Sequence, residues 1–111
     1  MQNVNFIGYE CSVKVSRYDC GISPCLRLVN TEGMPIATAT VNVSELQLPP
    51  NFVIIKNYAE NEGILPALVA AQIVHPTGQT VPVGHCIGYI CQLAPEVLAQ
   101  LPSVEVSNIK L

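Results

Sequence analysis

The sequence predicts an α+β fold in which an antiparallel sheet of four to six strands carries one main helix, at about residues 61–74, on one face. Three observations predict it. Several short segments alternate between apolar and polar residues, which is the period of a half-buried strand. Short turns containing Gly and Pro separate these segments. Helical spacing of apolar residues occurs strongly only once, after residue 63.

The first third of the chain is expected to form a meander of short antiparallel strands. In CSVKVSRY, the residues Cys11, Val13 and Val15 alternate with polar neighbours. The segments DCGISPC and TEGMP contain the residues that favour turns. The expected strands are residues 3–9, 11–18, 25–30 and 36–43.

The pattern changes at Pro49 and Pro50, which cannot donate a ladder hydrogen bond. FVIIKNY is rich in β-branched residues and is expected to be a central strand. The main helix follows, with Ile64, Leu68 and Ile73 among its apolar residues. The remaining elements are predicted to be a Pro- and Gly-rich connection at residues 75–85, a strand at CIGYICQL, a short helix at APEVLAQL and a terminal strand at VEVSNIKL.

Length and composition indicate one domain, residues 1–111, with enough apolar surface for a core, since 50% of its residues are hydrophobic. Only 12% are charged, and a surface so poor in charge often contacts a partner. The net charge is -3 and the five basic residues do not cluster, so direct nucleic-acid binding is not expected. The apolar runs are too short for a membrane span and the N-terminus lacks a signal-peptide pattern, so the expected location is the cytoplasm.

The polar segment NYAENEG, between two apolar runs, is the candidate functional site. Three interpretations are open. It starts the helix, with Asn61 as N-cap and Glu60 and Glu62 beside the positive end of the helix dipole. It offers Asn57, Tyr58 and the two glutamates to a basic partner. Paired carboxylates for acid–base chemistry are the third interpretation, but they need a pocket that the sequence does not indicate.

The cysteines are expected to be reduced and to pack as small apolar residues, because their number is odd and no export signal is present. Three alternatives remain: a zinc site, a Cys20–Cys25 disulfide, and a Cys–His pair that includes His75. Cys86 and Cys91 are five residues apart and are expected to face opposite sides of a strand. No metal, cofactor or catalytic residue is predicted.

Four segments carry a resemblance to a known family: VNFIGYECSVKVSRY, LRLVNTEGMPIATATVNV, VIIKNYAENEGILPALVAAQIV and TGQTVPVG. Together they resemble a family of small bacterial proteins, catalogued as a domain of unknown function, that is associated with phages, plasmids and conjugative elements. The resemblance covers about residues 3–93. Family members usually have a polar residue where Pro66 stands here and contain fewer cysteines, so the thiols are not interpreted as a family site.

The resemblance implies a genomic setting and supplies no catalytic residues. Small accessory proteins in that setting often bind host proteins, so the leading hypothesis is a non-enzymatic binding protein, for example an inhibitor of a CRISPR effector or a restriction enzyme. Its contact face is expected to include Asn57, Tyr58, Glu60, Asn61 and Glu62, together with an exposed strand edge. The alternative is a homo-oligomeric accessory or structural protein of a phage or plasmid, such as a homodimer. A thiol- or zinc-dependent enzyme is the third hypothesis.

Overall fold

The computed structural model describes residues 3–18, 24–43 and 48–100, and these confirm the α+β class. Where the sequence predicts one sheet of four to six strands, two antiparallel sheets of four strands each are found among the described residues. The elements are β1 Val4–Phe6, β2 Tyr9–Arg17, β3 Pro24–Val29, β4 Pro35–Thr38, β5 Thr40–Val41, β6 Phe52–Lys56, a 3-10 helix Ala59–Asn61, α1 Ile64–Ala70, β7 Val74–Val83, β8 Cys86–Leu93 and α2 Pro95–Leu98. The strand orders are β1-β2-β3-β4 and β5-β6-β8-β7.

The two sheets meet at Ala39, which lies between β4 and β5 and is fully buried. Its N–H donates to the carbonyl of Leu26 at 2.8 Å, and its carbonyl accepts from the N–H of Lys56 at 2.8 Å. One residue therefore bonds to β3 on one side and to β6 on the other. The chain passes from the first sheet to the second without a turn, so the strands form one continuous series.

Helix α1 packs against the strands at the two ends of this series. It packs against β1 and β7, which are the outer strands of the two sheets, and also against β6. Its residues Ile64 and Leu68 are fully buried in a single apolar cluster to which both sheets and α2 contribute. The outer face of the first sheet is polar, with Lys14 opposite Arg27. Among the described residues, no helix has the length and apolarity needed to cross a membrane.

The main helix is shorter than the predicted range of residues 61–74, because left-handed residues limit it at both ends. Gly63 precedes it with φ +92°, and Gln72 follows it with φ +61°. The N–H of Gln72 donates to the carbonyl of Val69, and the N–H of Ile73 donates to the carbonyl of Leu68. This is the Schellman arrangement, which usually has Gly at the left-handed position, so the sequence gives no signal for it.

The predicted connection at residues 75–85 is also wrong, because most of it belongs to strand β7. β7 is an outer strand of its sheet, and there proline removes no interior ladder bond. The register shifts between Pro76 and Thr80, where the Thr77 hydroxyl donates to the carbonyl of Ile90 at 2.8 Å. The predicted strands at FVIIKNY and CIGYICQL and the short helix at APEVLAQL are confirmed. The predicted terminal strand and most of the turn at DCGISPC lie outside the described residues.

Gly88 is expected to be required for packing on the face of the second sheet opposite the core, where Ile54 and Ile90 are buried side by side. A Cβ at this position would overlap Cγ2 of Ile54 and lie 3.1 Å from Cγ2 of Val83. We predict that Gly88→Ala lowers the free energy of unfolding by about 1–3 kcal/mol, measured by urea denaturation.

Ile54→Ala removes the overlapped methyl group and provides the control. The double variant is expected to lose less stability than the two single losses added together. Strictly additive losses would contradict the packing explanation.

Candidate functional site

The candidate segment connects β6 to α1, and its first asparagine stabilises the start of the helix. The Oδ1 atom of Asn57 accepts hydrogen bonds from the N–H groups of Gly63 at 3.1 Å and of Leu65 at 2.9 Å. Gly63 occupies the N-cap position and has no side chain to do this. Asn57 therefore satisfies N–H groups that the first turn of a helix leaves without intrahelical partners.

The prediction that Asn61 is the N-cap is wrong. Asn61 ends the 3-10 helix, is 1% exposed, and its Nδ2 atom donates to the carbonyl of Thr38 at 2.7 Å. This bond joins the segment to the end of strand β4. Because its side chain is buried and already bonded, Asn61 holds the segment in place and presents no side-chain surface to a partner.

Glu60 and Glu62 are the exposed acidic residues of the segment, and Tyr58 is half-buried. The Nζ atom of Lys56 lies 2.6 Å from Oε2 of Glu60 and 5.7 Å from the centre of the Tyr58 ring. The hydrogen bond between Lys56 and Glu60 raises the pKa of the lysine and lowers the pKa of the glutamate. This ion pair is exposed, so it contributes little to stability, and Glu62 is exposed as well.

Because of the strand order, four connections lie at one end of the molecule. We call this end the turn end. Each strand runs antiparallel to its neighbour in its sheet, and the chain continues directly from β4 into β5. The connections after β1, β3, β6 and β7 therefore emerge on the same side. They are Ile7–Gly8, residues 30–34, Asn57–Gly63 and Gly84–His85.

Exposed apolar side chains concentrate at the turn end. Seven large apolar residues are exposed in the part of the chain that the structure describes, and five of them lie in or within four residues of these connections. The other two, Val69 and Leu98, are on the helices. The five are Ile7 (62% exposed), Tyr9 (47%), Met34 (57%), Ile87 (51%) and Tyr89 (36%).

The turn end is also acidic. It contains Glu10, Glu32, Glu60 and Glu62, and the described basic residues in or within four residues of the connections are Arg27, Lys56 and His85. The other described basic residues are Lys14 and Arg17, farther along β2, and His75, near the start of β7. The turn end thus combines exposed apolar side chains with negative charge.

The β7–β8 hairpin extends beyond its neighbour in the sheet. The last pair between β6 and β8 is Lys56 with Gly88, so among the described strands Cys86 and Ile87 pair with β7 alone. Residues 74–93 contain no Asp, Glu, Lys or Arg. The end of the hairpin is therefore an uncharged projection that carries Ile87, and Tyr89 lies at its base opposite Ile55.

The described cysteines fit apolar packing. Cys11, Cys25 and Cys91 are buried, and burial raises the pKa of Cys11 and raises that of Cys91 to about 11. Cys86 is half-buried and lies on the opposite face of β8 from Cys91, as their spacing predicts. Among the described residues, no group of three or more His, Cys, Asp or Glu side chains is placed to hold a metal ion. Cys20, and with it the Cys20–Cys25 pair, lies outside them.

Of the five predicted site residues, Asn57 and Asn61 hold the backbone, Glu60 and Glu62 are exposed, and Tyr58 is half-buried. Sequence reasoning missed the apolar part of the turn end. A signal was present, because Ile7 and Met34 are large apolar residues next to Gly8 and Gly33 in turns, where polar residues predominate.

Comparison of the chain with models of known families, with curated proteins and with solved structures finds no significant match.

Asn57→Ala is expected to lower the free energy of unfolding by about 0.5–2 kcal/mol, which is the usual cost of losing a helix cap. The reason is that the N–H groups of Gly63 and Leu65 lose their acceptor. Urea denaturation measures the loss. Glu62→Ala is the matched control, because this exposed side chain in the same segment should change stability by less than about 0.5 kcal/mol. Equal stability of the two variants would contradict the capping role of Asn57.

Proposed function

We propose that this chain is a non-enzymatic protein-binding domain whose contact surface is the turn end. One observation carries the proposal: five of the seven exposed large apolar side chains in the described part of the chain lie there beside four glutamates. A concentration of exposed apolar side chains bordered by polar residues is typical of a protein-interaction surface. Tyr and Met are also enriched in such surfaces.

Hydrogen bonds within the turn end support the proposal. Asn57 bonds to the start of helix α1, and Asn61 bonds to the end of strand β4. The segment that contains Tyr58, Glu60 and Glu62 is therefore held in one conformation. A surface that is already ordered loses less conformational entropy when a partner binds. In this proposal the two asparagines position the contact residues and do not touch the partner through their side chains.

The electrostatics of the glutamates favour binding over acid–base chemistry. A general acid at neutral pH needs a carboxyl group whose pKa is raised by desolvation. Glu60 is exposed, and its hydrogen bond with Lys56 lowers its pKa. The buried Cys91 thiol, with a pKa of about 11, is poorly suited to nucleophilic attack because the reactive form is the thiolate.

The proposed partner is a host protein, in line with the resemblance of the chain to proteins of phages, plasmids and conjugative elements. A CRISPR effector or a restriction enzyme fits an acidic contact surface, since nucleases carry basic surfaces where nucleic acid binds. The chain would act as an inhibitor by covering such a surface. Its net charge of -3 is too small for a general mimic of DNA, so apolar contacts carry much of the binding in this proposal.

The uncharged β7–β8 hairpin favours a second candidate, a homo-oligomeric accessory protein of a phage or plasmid. Two copies can bring residues 74–93 together without repulsion between like charges. Light scattering coupled to size exclusion separates the candidates. A stable monomer at high concentration counts against self-association, and a dimer disrupted by Ile87→Glu would favour it.

Ile87→Glu is expected to abolish capture of the partner, because it places a charge on the most exposed apolar side chain of the hairpin. Val69→Glu is the matched control, since Val69 is 38% exposed on helix α1, away from the turn end. Tagged wild-type and variant chains are used as bait in lysates of bacterial hosts, and the captured proteins are identified by mass spectrometry.

The proposal predicts one host protein that wild type and Val69→Glu capture and Ile87→Glu does not, while circular dichroism shows both variants folded. Glu60→Ala with Glu62→Ala is expected to weaken the same capture, with a larger effect at low salt. Equal capture by all the variants would contradict a contact at the turn end.

A further inference from the structure

A groove of about 520 Å³ lies at the turn end, between the β1–β2 turn and the β3–β4 turn. Its lining includes the exposed side chains of Tyr9 and Met34 and the half-buried Ile36, which packs against the core. Glu10 and Glu32 also line it. The groove lining therefore combines apolar residues with two carboxylates.

Hydrogen bonds hold both sides of the groove. In the β3–β4 turn, Oδ1 of Asn30 accepts from the N–H groups of Glu32 and Met34, each at 2.9 Å. On the other side, Nδ2 of Asn3 donates to Oε2 of Glu10 at 2.7 Å. The β3–β4 turn, which contains Glu32, is thus held in place before any partner binds. The carboxylate of Glu10 is held in place as well.

The charge of the groove is negative and is not neutralised locally. The lining residues include two glutamates, and none of them is Lys, Arg or His. Residues 3–13 and 28–38, which form the two sides, contain no basic residue at all. The carboxylates can therefore bind a cation that a partner supplies.

We propose that this groove binds an arginine side chain from an extended, partly apolar segment of the partner protein. Arginine matches each part of the lining. Its aliphatic stem packs on Met34 and Ile36, and its forked N–H donors bond to the carboxylates of Glu10 and Glu32. Lysine lacks the planar fork and is bound less tightly. The inference rests on the proposed function, because it names the chemistry that the turn end recognises in its protein partner.

Nuclear magnetic resonance of the ¹⁵N-labelled full chain tests the proposal with three synthetic peptides. They are acetyl-Leu-Arg-Leu amide, the same peptide with citrulline in place of arginine, and the same peptide with glutamate. Citrulline keeps the shape of arginine and removes its charge. We expect saturable shifts of the backbone amides of Tyr9, Glu10, Glu32 and Met34 with the arginine peptide. Binding of the citrulline peptide is expected to be at least tenfold weaker, and the glutamate peptide is expected to cause no shift.

The double substitution Glu10→Gln and Glu32→Gln keeps the size of both side chains and is expected to weaken binding of the arginine peptide at least tenfold. Glu96→Gln, on helix α2 and outside the groove lining, is the matched control and should leave binding unchanged. The proposal is overturned if the citrulline peptide binds equally well, if the double variant retains binding, or if no saturable shift occurs in the groove up to about 10 mM arginine peptide.

Failure of this inference is distinguishable from failure of the proposed function. If the arginine peptide does not bind and capture of the host protein still depends on Ile87, the turn end binds protein without an arginine in the groove. If capture is independent of Ile87 and of Glu60 and Glu62, the proposed function fails whatever the peptides do.

Discussion

The two backbone hydrogen bonds of Ala39 are the constraint on which the rest of the structure depends. They bond a single residue to β3 of the first sheet and to β6 of the second. The chain therefore passes from one sheet to the other without a turn. A larger side chain at this fully buried position would have to displace the core. Because the chain keeps its direction through Ala39, the two antiparallel sheets place their connections after β1, β3, β6 and β7 at one end. The location of the candidate site therefore follows from the path of the backbone.

Asparagine side chains stabilise that end in three separate places. Asn30 and Asn57 each accept two backbone N–H groups through Oδ1, and Asn61 donates to the carbonyl of Thr38. Asparagine suits turns because its short amide can satisfy backbone groups that no strand or helix partner reaches. Since the amides hold the backbone, the glutamates and the apolar residues of the turn end are left to face solvent. The division between positioning residues and contact residues has this physical origin.

The sequence predicts the α+β class, several of the strands and the short second helix, because each rests on a local pattern. It does not predict the two sheets, since nothing near Ala39 indicates that both of its backbone groups bond to strands distant in the sequence. It also selects the wrong asparagine as the helix cap. Asn61 has the preferred residue type and position, but its partner is Thr38, 23 residues away. The side chain of Asn57 caps the helix by accepting from the N–H of Leu65, which is eight residues later in the chain. Local capping patterns do not extend that far.

The remaining errors have equally specific causes. Gln72 ends α1 in a left-handed conformation that normally marks glycine, so the predicted helix is too long. Pro76 and Pro82 suggest a loop, but an outer strand accommodates both. The acidic half of the candidate site could be predicted because NYAENEG is locally polar. Its apolar half is spread over three turns and becomes a surface only when the strands are paired.

Hydrogen–deuterium exchange of the chain, alone and bound to the host protein that it captures, tests the central claim most directly. The account predicts that binding slows exchange in the connections of the turn end, at residues 7–10, 30–34, 57–63 and 84–89, and leaves α2 unchanged. Slowed exchange confined to α2 and strand β5, with no change in these four connections, would contradict it.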